Sequence, residues 1–128
     1  MSRPLHLYVA GKYEERARVQ DIMAQLRAVG HTITYDWTLS EQLSRTQAFA
    51  DKEGVRVADA LVLVVEKALP YCGTLVEFGM ALAWRIPVYI VGHALDDHCI
   101  FILLPELHRG IEDLLRSPVP VSQKHFLV

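Results

Sequence analysis

The chain has 128 residues, a length that suits one hydrophobic core and predicts a single domain over residues 1–128. A hydrophobic fraction of 52% and a charged fraction of 22% exclude a disordered chain. The formal net charge is only -2 and the basic residues are spread along the chain, which argues against a nucleic-acid or membrane surface. A small molecule is therefore the expected ligand.

The first part of the chain predicts a strand followed by a helix. Residues 5–10 are apolar and end at Gly11, which is typical of a buried parallel strand that enters a tight turn. From about Tyr13, apolar residues recur every three or four positions among charged ones. Gly30 stands where a C-terminal cap of this helix is expected.

A second strand and helix are predicted next. Residues 31–35 alternate with β-branched side chains, which indicates a short strand. Thr38 or Ser40 supplies a candidate N-cap for a helical region that runs to about Val57. Residues 60–65 then form an uninterrupted apolar run, which is typical of a central strand covered on both faces.

The second half of the chain repeats the pattern. Residues 74–84 predict a helix and residues 87–91 a fourth strand. This alternation predicts a flavodoxin-like, doubly wound parallel sheet of about five strands in three α/β/α layers, with the ligand beyond the carboxyl ends of the strands. The fifth strand has no clear position, because residues 100–104 fit either a strand or a helix start. Residues 111–115 fit a short helix.

Glu77 is predicted to lie in the first turn of the third helix, at the mouth of the site. Two interpretations of this position remain open. Thr74-x-x-Glu77 before an apolar run is a capping box, in which each side chain bonds the other residue's backbone N–H. Such boxes are common helix starts, so spacing alone favours the capping box, but a carboxylate at this edge of the sheet is also suited to act on a ligand.

The third helix and its surroundings resemble a known family signature. Residues 73–83 have the pattern Gly-Thr-x-x-Glu-x-Gly-x-Ala-x-Ala, between two hydrophobic strands. Residues 8–11, Tyr-Val-Ala-Gly, match the opening strand of that family, and Asp51 and Asp59 match its acidic pair before the central strand. Over about residues 5–92 the chain resembles the nucleoside 2-deoxyribosyltransferase superfamily, which includes deoxynucleoside 5′-monophosphate N-glycosidases.

The resemblance implies cleavage or transfer of the N-glycosidic bond of a nucleoside or nucleotide, without a cofactor. Glu77 would be the nucleophile that attacks C1′, Asp51 would deliver a proton to the leaving base, and Tyr8 would orient the Glu77 carboxylate. The candidate substrate-binding residues at this edge of the sheet are Gly11, Lys12, Trp37, Glu66, Gly73 and Thr74.

Several of these residues also have a purely structural interpretation. Asp51 fits an exposed helix position, and Tyr8 fits an inward-facing aromatic whose hydroxyl needs a partner. Trp37 fits a packing aromatic at a strand end, and Glu66 fits a solvent-facing carboxylate. The sequence leaves both interpretations open.

No metal is expected, although potential ligands follow the fourth strand. These are His93, Asp96, Asp97, His98 and Cys99, and their spacing fits no standard structural site. Cys72 and Cys99 are predicted to be free thiols. The chain has no apolar run of the ~18 residues that a membrane span needs and no signal-peptide core, so we expect a cytoplasmic protein.

Two other functions fit the same pattern. One is a non-catalytic domain that binds or senses a nucleotide, since a fold alone does not fix function. The other is an NAD-cleaving enzyme, since related folds use a glutamate to break the nicotinamide bond. The resemblance also implies a homodimer or larger homo-oligomer, in which residues 125–128 would contribute to a neighbour's site.

Overall fold

The computed structural model describes residues 3–40 and 43–116, which form strands and helices in alternation. The strands are β1 (His6–Ala10), β2 (Thr32–Ile33), β3 (Ala60–Val64), β4 (Val88–Val91) and β5 (His108–Arg109). The helices are α1 (Arg16–Ala28), α2 (Arg45–Arg56), α3 (Gly73–Ala83) and α4 (Glu112–Leu115). Short 3-10 turns lie at Tyr13–Glu15, Trp37–Leu39 and Ile100–Leu103. Within the described ranges, no helix combines the length and the apolar character needed to cross a bilayer.

The five strands form one parallel sheet in the order β2-β1-β3-β4-β5. α1 packs on β1, β2 and α4, whereas α2 and α3 pack on each other and on β1. The predicted doubly wound α/β/α architecture is confirmed. The strand order changes direction between β1 and β3, and in such sheets the crevice beyond the carboxyl ends at this point is the usual ligand site.

The hydrophobic core covers both faces of the two central strands. Every residue of β3 is buried, as the uninterrupted apolar run predicted, and the last four residues of β1 are buried as well. Tyr8 belongs to this core and has no exposed surface. Its hydroxyl therefore has to find hydrogen-bond partners inside the protein.

The predicted N-cap of the second helix is wrong. Asp36 Oδ1 accepts from the Thr38 backbone N–H at 3.0 Å, so Thr38 belongs to a separate 3-10 turn that ends before Ser40. α2 begins later and is capped by Ser44, whose Oγ accepts from the Gln47 backbone N–H at 3.0 Å. The prediction failed because several residues of this segment can cap a helix, and tertiary packing selects among them.

The fifth strand lies where sequence patterns gave no signal. Residues 100–104 contain a 3-10 turn, and the strand is the two-residue β5, which is polar and exposed. Its register pairs Tyr89 with His108, whose rings stack with their centroids 4.3 Å apart. Arg109 also donates to Asp96 Oδ1 at 2.9 Å. Such a short polar strand is defined by its partners and not by its own periodicity.

Gly54 allows α2 to lie directly against β1. A Cβ at this position would lie 3.0 Å from Cβ of Tyr35 and 3.0 Å from Cδ2 of Tyr8. Contacts this short require neighbouring side chains or the helix to move. Since Asp51 lies one turn earlier on α2, the close approach at Gly54 also brings its carboxylate near the Tyr8 hydroxyl.

Gly54→Ala is expected to destabilise the protein by about 1 kcal/mol. The alanine improves helix propensity by about 1 kcal/mol, but overpacking against Tyr8 costs about 1–3 kcal/mol. Gly79→Ala on α3 is the matched control, because nothing lies within 4 Å of a Cβ there, and it should stabilise by about 0.5–1 kcal/mol. Urea unfolding of both variants measures the difference, and equal stabilisation of both would contradict the packing argument.

Candidate active site

A cleft of about 550 Å³ opens beyond the carboxyl ends of β1 and β3. The turn after β1 forms one wall, with Gly11 and Lys12, and the segment 70–74 that leads into α3 forms another. α2 contributes Asp51, and the first turn of α3 contributes Glu77. The cleft therefore coincides with the position at which the fold predicts a ligand.

Three side chains from different elements meet at the base of this cleft. The Tyr8 hydroxyl of β1 lies 2.7 Å from Glu77 Oε2 and 3.1 Å from Asp51 Oδ1. Glu77 and Asp51 are both partly buried. The structure thus brings together the three residues that the sequence proposed as catalytic, although they are 43 and 69 positions from Tyr8 in the chain.

The tyrosine hydroxyl carries one hydrogen, so it cannot donate to both carboxylates at once. The shorter contact, at 2.7 Å, assigns that hydrogen to Glu77. Asp51 then faces a lone pair of the phenolic oxygen, and the 3.1 Å contact is favourable when Asp51 carries a proton. The hydrogen bond from Tyr8 therefore favours an ionised Glu77 beside a protonated Asp51, and it opposes the effect of burial, which favours the proton on Glu77.

Burial raises the pKa of both acids. Burial and the nearby Asp51 charge raise the pKa of Glu77 from 4.5 to about 8, against the opposing effect of the Tyr8 hydrogen bond. Burial also raises the pKa of Asp51, and the hydrogen bond with Tyr8 opposes that shift as well. Two carboxyl groups that share a buried site titrate as a pair, so together they retain one proton at neutral pH. Burial favours that proton on Glu77, and the Tyr8 hydrogen bond favours its transfer to Asp51, which leaves Glu77 ionised.

The capping-box interpretation of Thr74 and Glu77 is wrong. The N-cap of α3 is Cys72, without a side-chain hydrogen bond, and Thr74 already lies inside the helix. The Glu77 carboxylate binds Tyr8, and the buried Thr74 Oγ1 has no hydrogen-bond partner among the described residues. The first turn of α3 therefore presents both side chains to the cleft.

Lys12 and Trp37 reach the cleft, but both already have partners. The Lys12 ammonium donates to the Ala68 carbonyl and lies 4.5 Å from the centre of the Tyr71 ring. Trp37 is buried and its Nε1 donates to the Val9 carbonyl at 2.7 Å. The indole thus packs beneath the cleft, as the structural interpretation held. Gly11 lies beside the indole, since a Cβ there would come within 3.7 Å of Trp37 Cζ2 and within 2.7 Å of Val19 Cγ2.

Glu66 does not share this cleft. It lines a second depression of about 710 Å³ between the segments that follow β3 and β4. Its carboxylate accepts from Arg18 Nε at 2.9 Å, and both side chains are substantially exposed. The acid that lines this depression is paired with Arg18, whereas the first cleft contains two partly buried acids that share one hydroxyl, so the first cleft is the candidate active site. The segment 66–69 separates the two.

Gln47 is a cleft residue that the sequence analysis did not identify. It lies on α2 one turn before Asp51, and both side chains line the cleft. Its Oε1 is buried and, within the described part of the chain, has no hydrogen-bond partner. The only available signal was the four-residue spacing from Asp51, which places the two on one face of a helix.

Two of the potential metal ligands after β4, His93 and Asp96, contact each other instead of a common centre. His93 Nδ1 lies 2.9 Å from Asp96 Oδ2, and Arg109 binds the other oxygen of Asp96. Throughout residues 3–40 and 43–116, no group of three or more His, Cys, Asp or Glu residues has an arrangement that could hold a metal ion. Cys72 and Cys99 are free thiols, as predicted. The predicted contribution of residues 125–128 lies outside the described residues.

Fold and cleft together define a doubly wound α/β protein with a small-molecule site at the carboxyl edge of its sheet. The sequence model of the nucleoside 2-deoxyribosyltransferase family matches residues 7–112. The chain therefore belongs to this family. Comparison with curated protein sequences finds no match.

Proposed function

We propose that this protein cleaves or transfers the N-glycosidic bond of a nucleoside, with Glu77 as the nucleophile. The observation that carries this proposal is the Glu77–Tyr8–Asp51 triad, in which two partly buried carboxyl groups contact one phenolic hydroxyl at the base of a cleft. A pair of acids that differ in protonation supplies both groups that glycosidic cleavage needs. Membership of the family supports a nucleoside as the ligand.

In the first step the Glu77 carboxylate attacks C1′ of the sugar, and the bond between C1′ and the base nitrogen breaks. The transition state has oxocarbenium character, which a nearby carboxylate stabilises. Asp51 gives its proton to the departing base, because a base anion is a poor leaving group. The products of this step are a glycosyl ester of Glu77, the neutral base and ionised Asp51.

The second step releases the sugar from Glu77. Water or a second base attacks C1′, and the Asp51 carboxylate accepts the proton that the attacking group loses. The enzyme then returns to its starting protonation state. Hydrolysis and transfer use the same residues and differ only in which acceptor reaches C1′.

The charge of the cleft favours an uncharged nucleoside over a nucleotide. Asp51, Glu77 and Glu14 all line it. Lys12 also lines it, but its ammonium is held by the Ala68 carbonyl. A phosphate would therefore enter a cleft in which three acidic side chains face one lysine, which is electrostatically unfavourable.

The direct test is mass-spectrometric detection of free base from a panel of nucleosides, nucleotides and NAD, with and without a second base as acceptor. Release of base from nucleosides supports the proposal, and a new nucleoside formed with the acceptor identifies transfer. Release of nicotinamide alone would favour an NAD-cleaving enzyme. Binding of nucleosides or nucleotides without any release would favour a sensing domain.

Tyr8→Phe is expected to slow base release about ten- to a hundredfold, because the nucleophile loses the hydroxyl that orients it. The variant should also change the pH profile of kcat/KM. Activity should fall above about pH 8, where the acid pair loses its shared proton. The Tyr8 hydrogen bond lowers the pKa of Glu77, so its removal should move this alkaline limb to higher pH.

The control for this variant is Tyr89→Phe, because Tyr89 stacks on His108 at the other side of the sheet and does not line the cleft. It should leave the position of the alkaline limb unchanged. A Tyr8→Phe enzyme with a slower rate but an unmoved limb would mean that the hydroxyl only supports packing.

A further inference from the structure

Two polar side chains of the cleft, Gln47 and Thr74, have a buried oxygen without a partner among the described residues, and of the two Gln47 lies on α2. A buried amide oxygen without a hydrogen bond costs free energy, so such groups in native proteins call for an explanation. Gln47 Oε1 is buried and has no hydrogen-bond partner in residues 3–40 and 43–116, and the backbone N–H of Gln47 already donates to the N-cap Ser44. A ligand that donates a hydrogen bond at this position would remove the cost.

The position of Gln47 determines which part of a nucleoside it would meet. This step rests on the proposed function, in which Asp51 protonates the leaving base. Since Asp51 must then lie beside the base, the cleft wall that continues from Asp51 along α2 is the wall that contacts the base. Gln47 is the cleft residue one turn further along that wall. Glu77 and Thr74 lie on the opposite wall, on α3, where the sugar would lie.

We infer that Gln47 reads the nucleobase and selects bases that carry an exocyclic amino group next to a ring nitrogen. A carboxamide offers one acceptor and two donors in one plane. Its oxygen accepts from the amino N–H while its nitrogen donates to the ring nitrogen, which is the bidentate pairing that glutamine makes with adenine. The buried atom without a partner is the oxygen, so a ligand that satisfies it supplies a hydrogen-bond donor, as an exocyclic amino group does.

The test is a binding measurement that needs no turnover. Calorimetry with the Glu77→Gln protein compares 2′-deoxyadenosine with purine 2′-deoxyriboside, which lacks only the amino group. We expect 2′-deoxyadenosine to bind about tenfold more tightly or better, as one good bidentate pair provides. Adding Gln47→Met, which keeps the length of the side chain and suits a helix, should reduce this ratio to about one.

Gln25→Met is the matched control, because Gln25 is exposed on α1 and its amide bonds Asp21 on the same helix. It should leave the tenfold ratio intact. The inference is overturned if both nucleosides bind equally well, if neither binds, or if the preference survives Gln47→Met. Tighter binding of 2′-deoxyinosine, which has an oxo group at the same position, would overturn it too.

Failure of this inference can be told apart from failure of the proposed function. Base release by the native protein tests the glycosidic chemistry and does not depend on which base is preferred. A preference for 2′-deoxyadenosine that depends on Gln47, without any base release, would leave the base-reading role and remove the catalytic one. Base release without a Gln47-dependent preference would support the glycosidic chemistry and remove the role of Gln47 in base recognition.

Discussion

Glu77→Gln is expected to reduce base release by at least about three orders of magnitude. Loss of a covalent nucleophile typically costs this much or more, because the amide can neither attack C1′ nor carry the negative charge that stabilises the transition state. The substitution keeps the shape of the side chain, and its carbonyl oxygen can still accept from the Tyr8 hydroxyl. The effect should therefore fall on kcat, with little change in nucleoside binding.

Two controls make this result specific. Glu106→Gln makes the same change at an exposed glutamate outside the cleft and should keep full activity. Mass spectrometry of the intact native protein, quenched during turnover, should detect the glycosyl ester, and the Glu77→Gln protein should not form it. A Glu77→Gln protein that retains a tenth or more of the native rate would eliminate Glu77 as the nucleophile.

The same substitution is expected to stabilise the fold at alkaline pH, by about 5 kcal/mol at pH 9 and by about 1 kcal/mol or less at pH 5. The pKa of Glu77 is about 8 in the folded protein and 4.5 in the unfolded chain. Between these values the unfolded chain releases a proton that the folded protein retains, so the native protein loses stability as pH rises. Above about pH 8 the loss is complete, because the folded protein then also ionises.

Glutamine carries no charge at either pH, so the Glu77→Gln protein lacks this loss. Guanidinium unfolding at pH 5 and pH 9 measures the difference between the two proteins, with Glu106→Gln as the exposed control. An increase in the free energy of unfolding that is the same at both pH values would mean that burial does not raise the pKa of Glu77. Together, the activity and unfolding measurements of the Glu77→Gln protein test whether the residue that makes the site reactive also destabilises the fold.

Much of the fold could be predicted because its signals are local. The buried run of β3 and the periodic apolar stripe of α1 each reflect the environment of one element, and each predicted its element within one to three residues. The alternation of strands and helices then leaves few arrangements other than a doubly wound parallel sheet. β5 and the cap of α2 were missed because they depend on partners far away in the chain.

The candidate site could be predicted only in part. Resemblance to a family signature selected Tyr8, Asp51 and Glu77, and the fold brings these three together. The same reasoning grouped Glu66 with them, yet that carboxylate binds Arg18 in a separate depression. It also missed Gln47, whose role depends on which face of α2 lines the cleft. Spacing along the chain shows neither that Glu66 lies outside the cleft nor that Gln47 lies inside it.

The sequence alone determined the class of fold, since hydrophobic periodicity is a property of short stretches of chain. It also determined which types of side chain follow the carboxyl ends of the strands. Only the tertiary structure decided which polar groups meet and which remain without a partner. Asp51 and Glu77 share one hydroxyl because α2 approaches β1 at Gly54 and α3 begins at Gly73. The raised pKa of Glu77 follows from that packing, because burial removes the water that would otherwise solvate its charge.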